Sequence, residues 1–173
     1  IALVGRNGSG KSTLLKIAAG IVEADAGERF IDPGATIAYL PQEPDFARFE
    51  TVGAYVEAGL ARAHDIHLGR LYDEFGVSPD LRCATLSGGE ARRAALVRIF
   101  AADPDAMLLD EPTNHLDLPA IEALEDRLAA ARAAVVLISH DRRFLETLTT
   151  RTVWIDRGRT RFLDRGFKDF ESW

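Results

Sequence analysis

"IALVGRNGSGKST", residues 1–13, decides how the rest of the chain is read. Ile1–Val4 is a short apolar run, read as a buried strand, and a glycine-rich loop follows it. Lys11 to about Ala19 then carries a helical pattern, with Leu14, Leu15, Ile17 and Ala18 expected to face inward and Gly20 to close it as a left-handed cap. Gly5-x-x-x-x-Gly10-Lys11-Ser12 is the spacing of a phosphate-binding loop, in the strand-before, helix-after context that such a loop requires. Gly5, Gly8 and Gly10 allow the backbone to turn its N–H groups toward one point. Lys11 would reach the β- and γ-phosphates, and the Ser12 hydroxyl would complete a Mg²⁺ shell. The plainer alternative, a glycine-rich turn beside an exposed lysine, accounts for neither flank.

Outward from this start, apolar runs alternate with helical periods. "TIAYL" (36–40) reads as a strand ending at Pro41, and "AMLLD" (106–110) and "AVVLI" (134–138) as strands covered on both faces. Helices are expected up to about Ala102, from Pro119 with Ile121, Leu124 and Leu128 inward, and around Phe144 to Leu148. "TVWID" and "RTRFL" flank Arg157-Gly158 as a closing hairpin. The expected fold is therefore α/β, a P-loop NTPase core with a mainly parallel sheet. Residues of about 51–85 read as an inserted all-helical lobe, with Val52, Tyr55, Val56 and Leu60 on one face and Leu68, Leu71, Tyr72 and Phe75 on another.

The length of 173 residues suits a single domain over 1–173, and an apolar share of 47% excludes a disordered chain. The chain opens on Ile1, and its only methionine is Met107, so it reads as a piece whose N-terminal part is missing. No apolar run approaches the roughly 20 residues of a membrane span, and no leader pattern is visible. The lone Cys83 fits a reducing compartment and a cytoplasmic setting, and is read as an ordinary half-buried side chain. A net charge of −6 argues against nucleic-acid binding through a broad positive field, while leaving room for a local patch or an attached segment.

Further chemistry gathers at strand ends. Asp110 closes "AMLLD", where ligands collect at the carboxyl edge of a parallel sheet, and could hold Mg²⁺ opposite Ser12. Glu111 follows; its natural task is to polarise a water attacking the γ-phosphate, the alternative being a cap on the next turn. Gln42, after "TIAYLP", could touch both metal and water and report them to the helical lobe. It could equally be an ordinary loop glutamine. His140, after "AVVLIS", could bond the γ-phosphate and steady Glu111, or be structural. His64, His67 and His115 are read as solvated or loop histidines.

"TLSGGEARRAAL", residues 85–96, resembles a second anion-binding helix start. Ser87 and Glu90 also fit a capping box. That box does not require Gly88 and Gly89, which weaken a first turn, and glycines there imply that something comes close to the backbone. Arg92 and Arg93, one turn in, are either a solvated face or an RNA contact.

Taken together, "GRNGSGKST", "LPQEP", "LSGGE", "MLLDEP", "NHLD" and "ISHD" resemble the Walker A, Q-loop, signature, Walker B, D-loop and H-loop of the ABC superfamily of ATP-binding domains, in family order from Gly5 to His140. The resemblance implies ATP and Mg²⁺ as ligands and ATP hydrolysis as the reaction. It assigns Gly5, Arg6, Asn7, Gly8, Ser9, Gly10, Lys11, Ser12 and Thr13 to ATP. It assigns Ser12, Gln42 and Asp110 to the metal, and Lys11, Gln42, Glu111 and His140 to catalysis. Two such domains pack head to tail in this family. Ser87, Gly88, Gly89 and Glu90 would thus act on nucleotide held by a second ABC domain, with Asp117 along the seam. The adenine-stacking aromatic of the family falls upstream of residue 1, and Tyr39 is no substitute.

"DEPTNHLD" and "SHDRRFL" further resemble the wording of the ABC-F class, and the whole is most similar to the first ATP domain of its Uup-like branch. Residues 164–173 then resemble the start of an exit toward an interdomain linker. That class implies a ribosome or RNA partner reached through the linker and a role in translation; DNA is the other partner associated with the branch. The competing readings are the ATP-binding subunit of a membrane transporter and a nucleotide-gated module with little turnover.

Overall fold

A computed structural model describes residues 1–60 and 68–172; His64 and His67 lie outside the described residues. Its centre is a sheet in the order β2-β3-β4-β1-β5-β6. The strands are β1 (Ala2–Gly5), β2 (Ile37–Leu40), β3 (Ala106–Asp110), β4 (Ala134–Ile138), β5 (Thr152–Asp156) and β6 (Arg159–Leu163). All neighbours pair in parallel except β5 with β6, which form an antiparallel hairpin through Arg157-Gly158. The mainly parallel sheet is as expected, and it aligns the carboxyl ends of β1, β2, β3 and β4 along one edge.

Helices cover both faces. On one side α1 (Lys11–Ala19) lays Leu15 against Leu3, Leu108, Ile138 and Ile155. Leu14, expected inward, is instead 38% exposed, because the stripe facing the sheet is narrow and centred on Leu15. Gly20 closes this helix with φ 77°, and the N–H groups of Gly20 and Ile21 bond Ile17 O and Lys16 O at 2.9 Å each. On the other side lie α4 (Gly88–Ala101), α5 (Leu118–Ala130) and α6 (Arg142–Leu148), whose Leu96, Leu124, Phe144 and Leu145 belong to the larger core.

Between β2 and α4 the chain makes α2 (Val52–Glu57), α3 (Leu68–Phe75) and a short 3-10 turn at Cys83–Thr85. Thr51 caps α2 by accepting from Ala54 N–H at 3.3 Å. Buried Tyr55, Val56, Leu71, Tyr72 and Phe75 pack this segment into the larger core. The segment is not helical throughout: Thr51 and Arg82 form an isolated antiparallel bridge, and Val52 N–H bonds Leu81 O at 3.0 Å. Its entry and exit are thereby held side by side. Cys83 is buried at the exit.

Gly5 ends β1 at a position with no room for a side chain. A Cβ there would stand 2.4 Å from Ile155 O and 2.8 Å from Ser9 Oγ. The backbone oxygen cannot move without breaking the β1–β5 ladder, so Gly5→Ala is expected to cost about 1–3 kcal/mol by overpacking. A urea melt should show the lowered midpoint with an unchanged slope; an unshifted midpoint would mean the loop relaxes freely.

Candidate functional site

The carboxyl edge of the sheet carries a cavity of about 410 Å³. Asn7, Gly8, Gly10, Lys11, Ser12 and Thr13 form one wall, and Gln42, Asp110, Glu111 and His140 face them. Of the remaining loop residues, Gly5 is tucked against Ile155, the Ser9 hydroxyl lies beside Gly5, and Arg6 is exposed. Gly8 and Gly10 adopt φ of 77° and 96°, a conformation that side chains resist. The Lys11 ammonium donates to Gly5 O at 2.9 Å and Arg6 O at 3.1 Å, lying across the loop.

Register places the acids. Asp110 pairs with Ile138 across β3 and β4, and both are buried. Glu111 follows with φ 50°, its N–H bonded to Ile138 O at 2.8 Å, so the chain turns sharply as it leaves the sheet. That turn aims the Glu111 carboxylate at the end of β4. There it accepts from His140 N–H at 3.2 Å and meets His140 Nε2 at 3.4 Å. The side chain therefore does not cap the next turn; the Glu111 carbonyl does that, accepting from Asn114 N–H at 3.2 Å. Burial raises the carboxyl above its ordinary value of 4.5 and Asp110 adds to the rise, against the opposing pull of His140 and Lys11. His140 itself remains mostly exposed.

A hydroxyl, a carboxylate and an amide oxygen from Ser12, Asp110 and Gln42 share the cavity, the hard-oxygen set that suits Mg²⁺. Among the described residues no group of three or more His, Cys, Asp or Glu side chains forms a metal cage. Mg²⁺ does not need one when phosphate oxygens supply the rest.

Residues 1–114 match the family described as "ABC transporter". The chain belongs to this family of ATP-binding domains. It is 54% identical over 172 residues to the ATP-binding protein Uup of Caulobacter vibrioides, a match covering 99% of this chain and 28% of that protein. It is 34% identical to the energy-dependent translational throttle protein EttA of Mycobacterium tuberculosis, covering 92% of this chain and 36% of that one. The chain thus spans about a third of the length of these curated relatives. Among solved structures, the ATP-binding subunit of an ABC transporter superposes with a TM-score of 0.81 at 26% identity, over 94% of this chain and 78% of that one. The Uup-like, ABC-F resemblance is borne out by the matches to Uup and EttA.

In this ABC domain the signature lies apart from the cavity lining. Ser87 caps α4, and the capping box with Glu90 is formed: Glu90 N–H donates to Ser87 Oγ at 3.3 Å, and Ser87 N–H to Glu90 Oε2 at 2.8 Å. Ser87 Oγ also donates to Glu90 Oε2 at 2.7 Å, and these bonds hold the Glu90 carboxyl below its ordinary value. The glycines have a neighbour inside the chain. A Cβ on Gly89 would meet His115 O at 3.0 Å, and one on Gly88 the His115 ring at 3.4 Å. His115, with φ 63°, is an exposed turn residue, as expected, and lies beside the start of α4. Asp117 caps α5 by accepting from Ala120 N–H at 3.3 Å and pairs with Arg93 at 3.3 Å.

Two further residues escaped sequence reasoning. Asn114 lines the cavity, which the "DEPTNH" turn brings about by folding back after Glu111. Arg92 is neither a solvated face nor a free RNA contact, because only 2% of it is exposed. Its helical spacing could have told: Ala95, Leu96 and Ile99, at three, four and seven residues on, are buried on the same side.

Glu111 offers a direct check. In nucleotide-free protein kept in chelator, its carboxyl is expected to titrate above 4.5, and His140→Ala should move it higher still by removing a group that favours the ionised form. Carbon-detected NMR of the side-chain carboxyl would report both; a downward move in His140→Ala would refute the assigned balance.

Proposed function

We propose that this ABC domain binds ATP and hydrolyses it to ADP and phosphate in a composite site completed by a second ABC domain. The observation that carries the reading is the pairing of a buried Glu111 with His140 on the cavity wall opposite the phosphate-binding loop. The loop N–H groups and Lys11 would cradle the phosphates. Ser12, Asp110 and Gln42 would hold Mg²⁺, which supplies charge neutralisation on the β- and γ-phosphate oxygens.

Glu111 is suited to take a proton from the attacking water as its oxygen bonds the γ-phosphorus and the bond to the ADP oxygen breaks. A carboxylate whose pKa is raised by burial is a better proton acceptor than an exposed one. His140 orients it through the backbone N–H and the imidazole. The signature, off the cavity lining, would serve nucleotide held by the second domain, as the family resemblance implies. For Ser87 to donate to a phosphate there, its single proton must leave Glu90.

The likeness to EttA, named for throttling translation, supports a translation-linked role with a ribosome or RNA partner. With a net charge of −6, contact would fall to a local patch or to an interdomain linker of the kind that the family resemblance implies. No described helix is long and apolar enough to cross a membrane, and the higher identity to Uup than to a transporter subunit favours ABC-F over transport.

In the full-length protein, Glu111→Gln should keep ATP binding within a few-fold and lower kcat by about 10²–10⁴, the usual contribution of a general base. The same variant with ATP and Mg²⁺ should sediment with ribosomes as a trapped complex. Turnover at the parent rate would remove Glu111 from the role of base. Ser87→Arg should abolish turnover while nucleotide still binds; parental ATPase in that variant would refute the composite site.

A further inference from the structure

Arg92 belongs to α4 but bonds outside it. One guanidinium nitrogen donates to Pro41 O at 2.9 Å and the other terminal nitrogen to Gln42 O. Nε is buried without a hydrogen-bond partner. A buried cation held by carbonyl dipoles is costly compared with a leucine or methionine of similar volume, so packing alone does not call for arginine here. The fork achieves something that an apolar side chain cannot. Its planar donors fix the directions of two successive carbonyls where β2 leaves the sheet, at a proline that has no N–H to pair. The Pro41 and Gln42 carbonyls belong to the peptide planes on either side of the Gln42 Cα, so holding both fixes where the Gln42 side chain leaves the backbone, and that side chain lines the cavity.

The other end of the connection is rigid. Arg92 stands one turn inside α4, whose first residues are the signature and whose Ser87–Glu90 box stiffens that turn. A lever about 7 Å long at 1.5 Å per residue therefore joins the Gln42 backbone to Ser87. We propose that Arg92 is a positioning residue that ties the placement of the signature to the position of Gln42 in this domain's own cavity. The inference rests on the composite-site reading and adds the route by which one cavity's contents are felt at the other's lid.

The test is a double-mutant cycle in the full-length protein with Arg92→Lys, which keeps charge and bulk but loses the fork, Gln42→Ala, and the pair. Arg92→Lys is expected to lower kcat about tenfold, as changes to a group that orients a metal ligand do, and Gln42→Ala, which removes the side chain itself, by at least as much. The dissociation constant of a non-hydrolysable ATP analogue should change less than about threefold in Arg92→Lys, because the side chain touches no phosphate. The double variant should be no slower than the worse single one. Losses that multiply to about a hundredfold would overturn the proposal, as would parental kcat in Arg92→Lys.

Hydrogen exchange with ATP and Mg²⁺ gives a second readout that does not need turnover. Residues 5–13 should gain protection in parent and Arg92→Lys alike, while the response of 86–93 should fall at least by half in the variant. An undiminished response at 86–93 would overturn the proposal. A parent that gains protection at 5–13 yet fails to hydrolyse would refute the composite-site chemistry instead, and the exchange result would still decide Arg92.

Discussion

The pairing of Asp110 with Ile138 across two parallel strands is the constraint on which the rest of the site depends. It brings the ends of β3 and β4 level, so that the residues just beyond them, Glu111 and His140, emerge together. The bond from Glu111 N–H to Ile138 O then continues the ladder for one more step while φ turns positive. A slip of one residue would reverse every side chain on β3 and send Asp110 to the wrong face. The packing of Leu109, Leu137 and Ile138, buried at the carboxyl ends of the two strands, opposes that slip. Core packing thereby sets the position of a carboxylate.

The start of α4 obeys a different constraint, close backbone approach. Gly89 is favoured within the chain itself, because a Cβ there would stand 3.0 Å from the His115 carbonyl, while one on Gly88 would make ordinary contact with the His115 ring. The positive φ at His115 and the Arg93–Asp117 pair hold the same loop against the same helix. One short stretch, from Glu111 to Asp117, therefore touches the cavity at its beginning and the signature at its end. Two glycines that weaken a helix in isolation permit a tight seam between the loop and the helix start.

Much of this is legible in the sequence. Strand and helix order followed from alternating apolar runs, and the spacing Gly5-x-x-x-x-Gly10-Lys11-Ser12 identified its own loop. What remained hidden was of two kinds. Leu14 shows that a helical pattern names a face without fixing its width, which depends on how closely the sheet approaches. Arg92 and Asn114 show that a polar residue's place depends on groups it meets across the fold, and those carry no letter in the sequence. A carbonyl at Pro41 is the same in any loop until α4 brings a guanidinium to it.

The same arginine bears on how two adjacent acids tolerate burial. Asp110 and Glu111 both lie in the interior, where like charges repel and solvent cannot screen them. Positive groups lie near them, Lys11 across the loop and Arg92 in the field of both carboxylates, and His140 bonds Glu111 at the end of β4. At Glu111 these attractions are outweighed by burial, and its pKa rises. A purely structural carboxylate would gain nothing from such a place. A group that must accept a proton from water gains proton affinity from it.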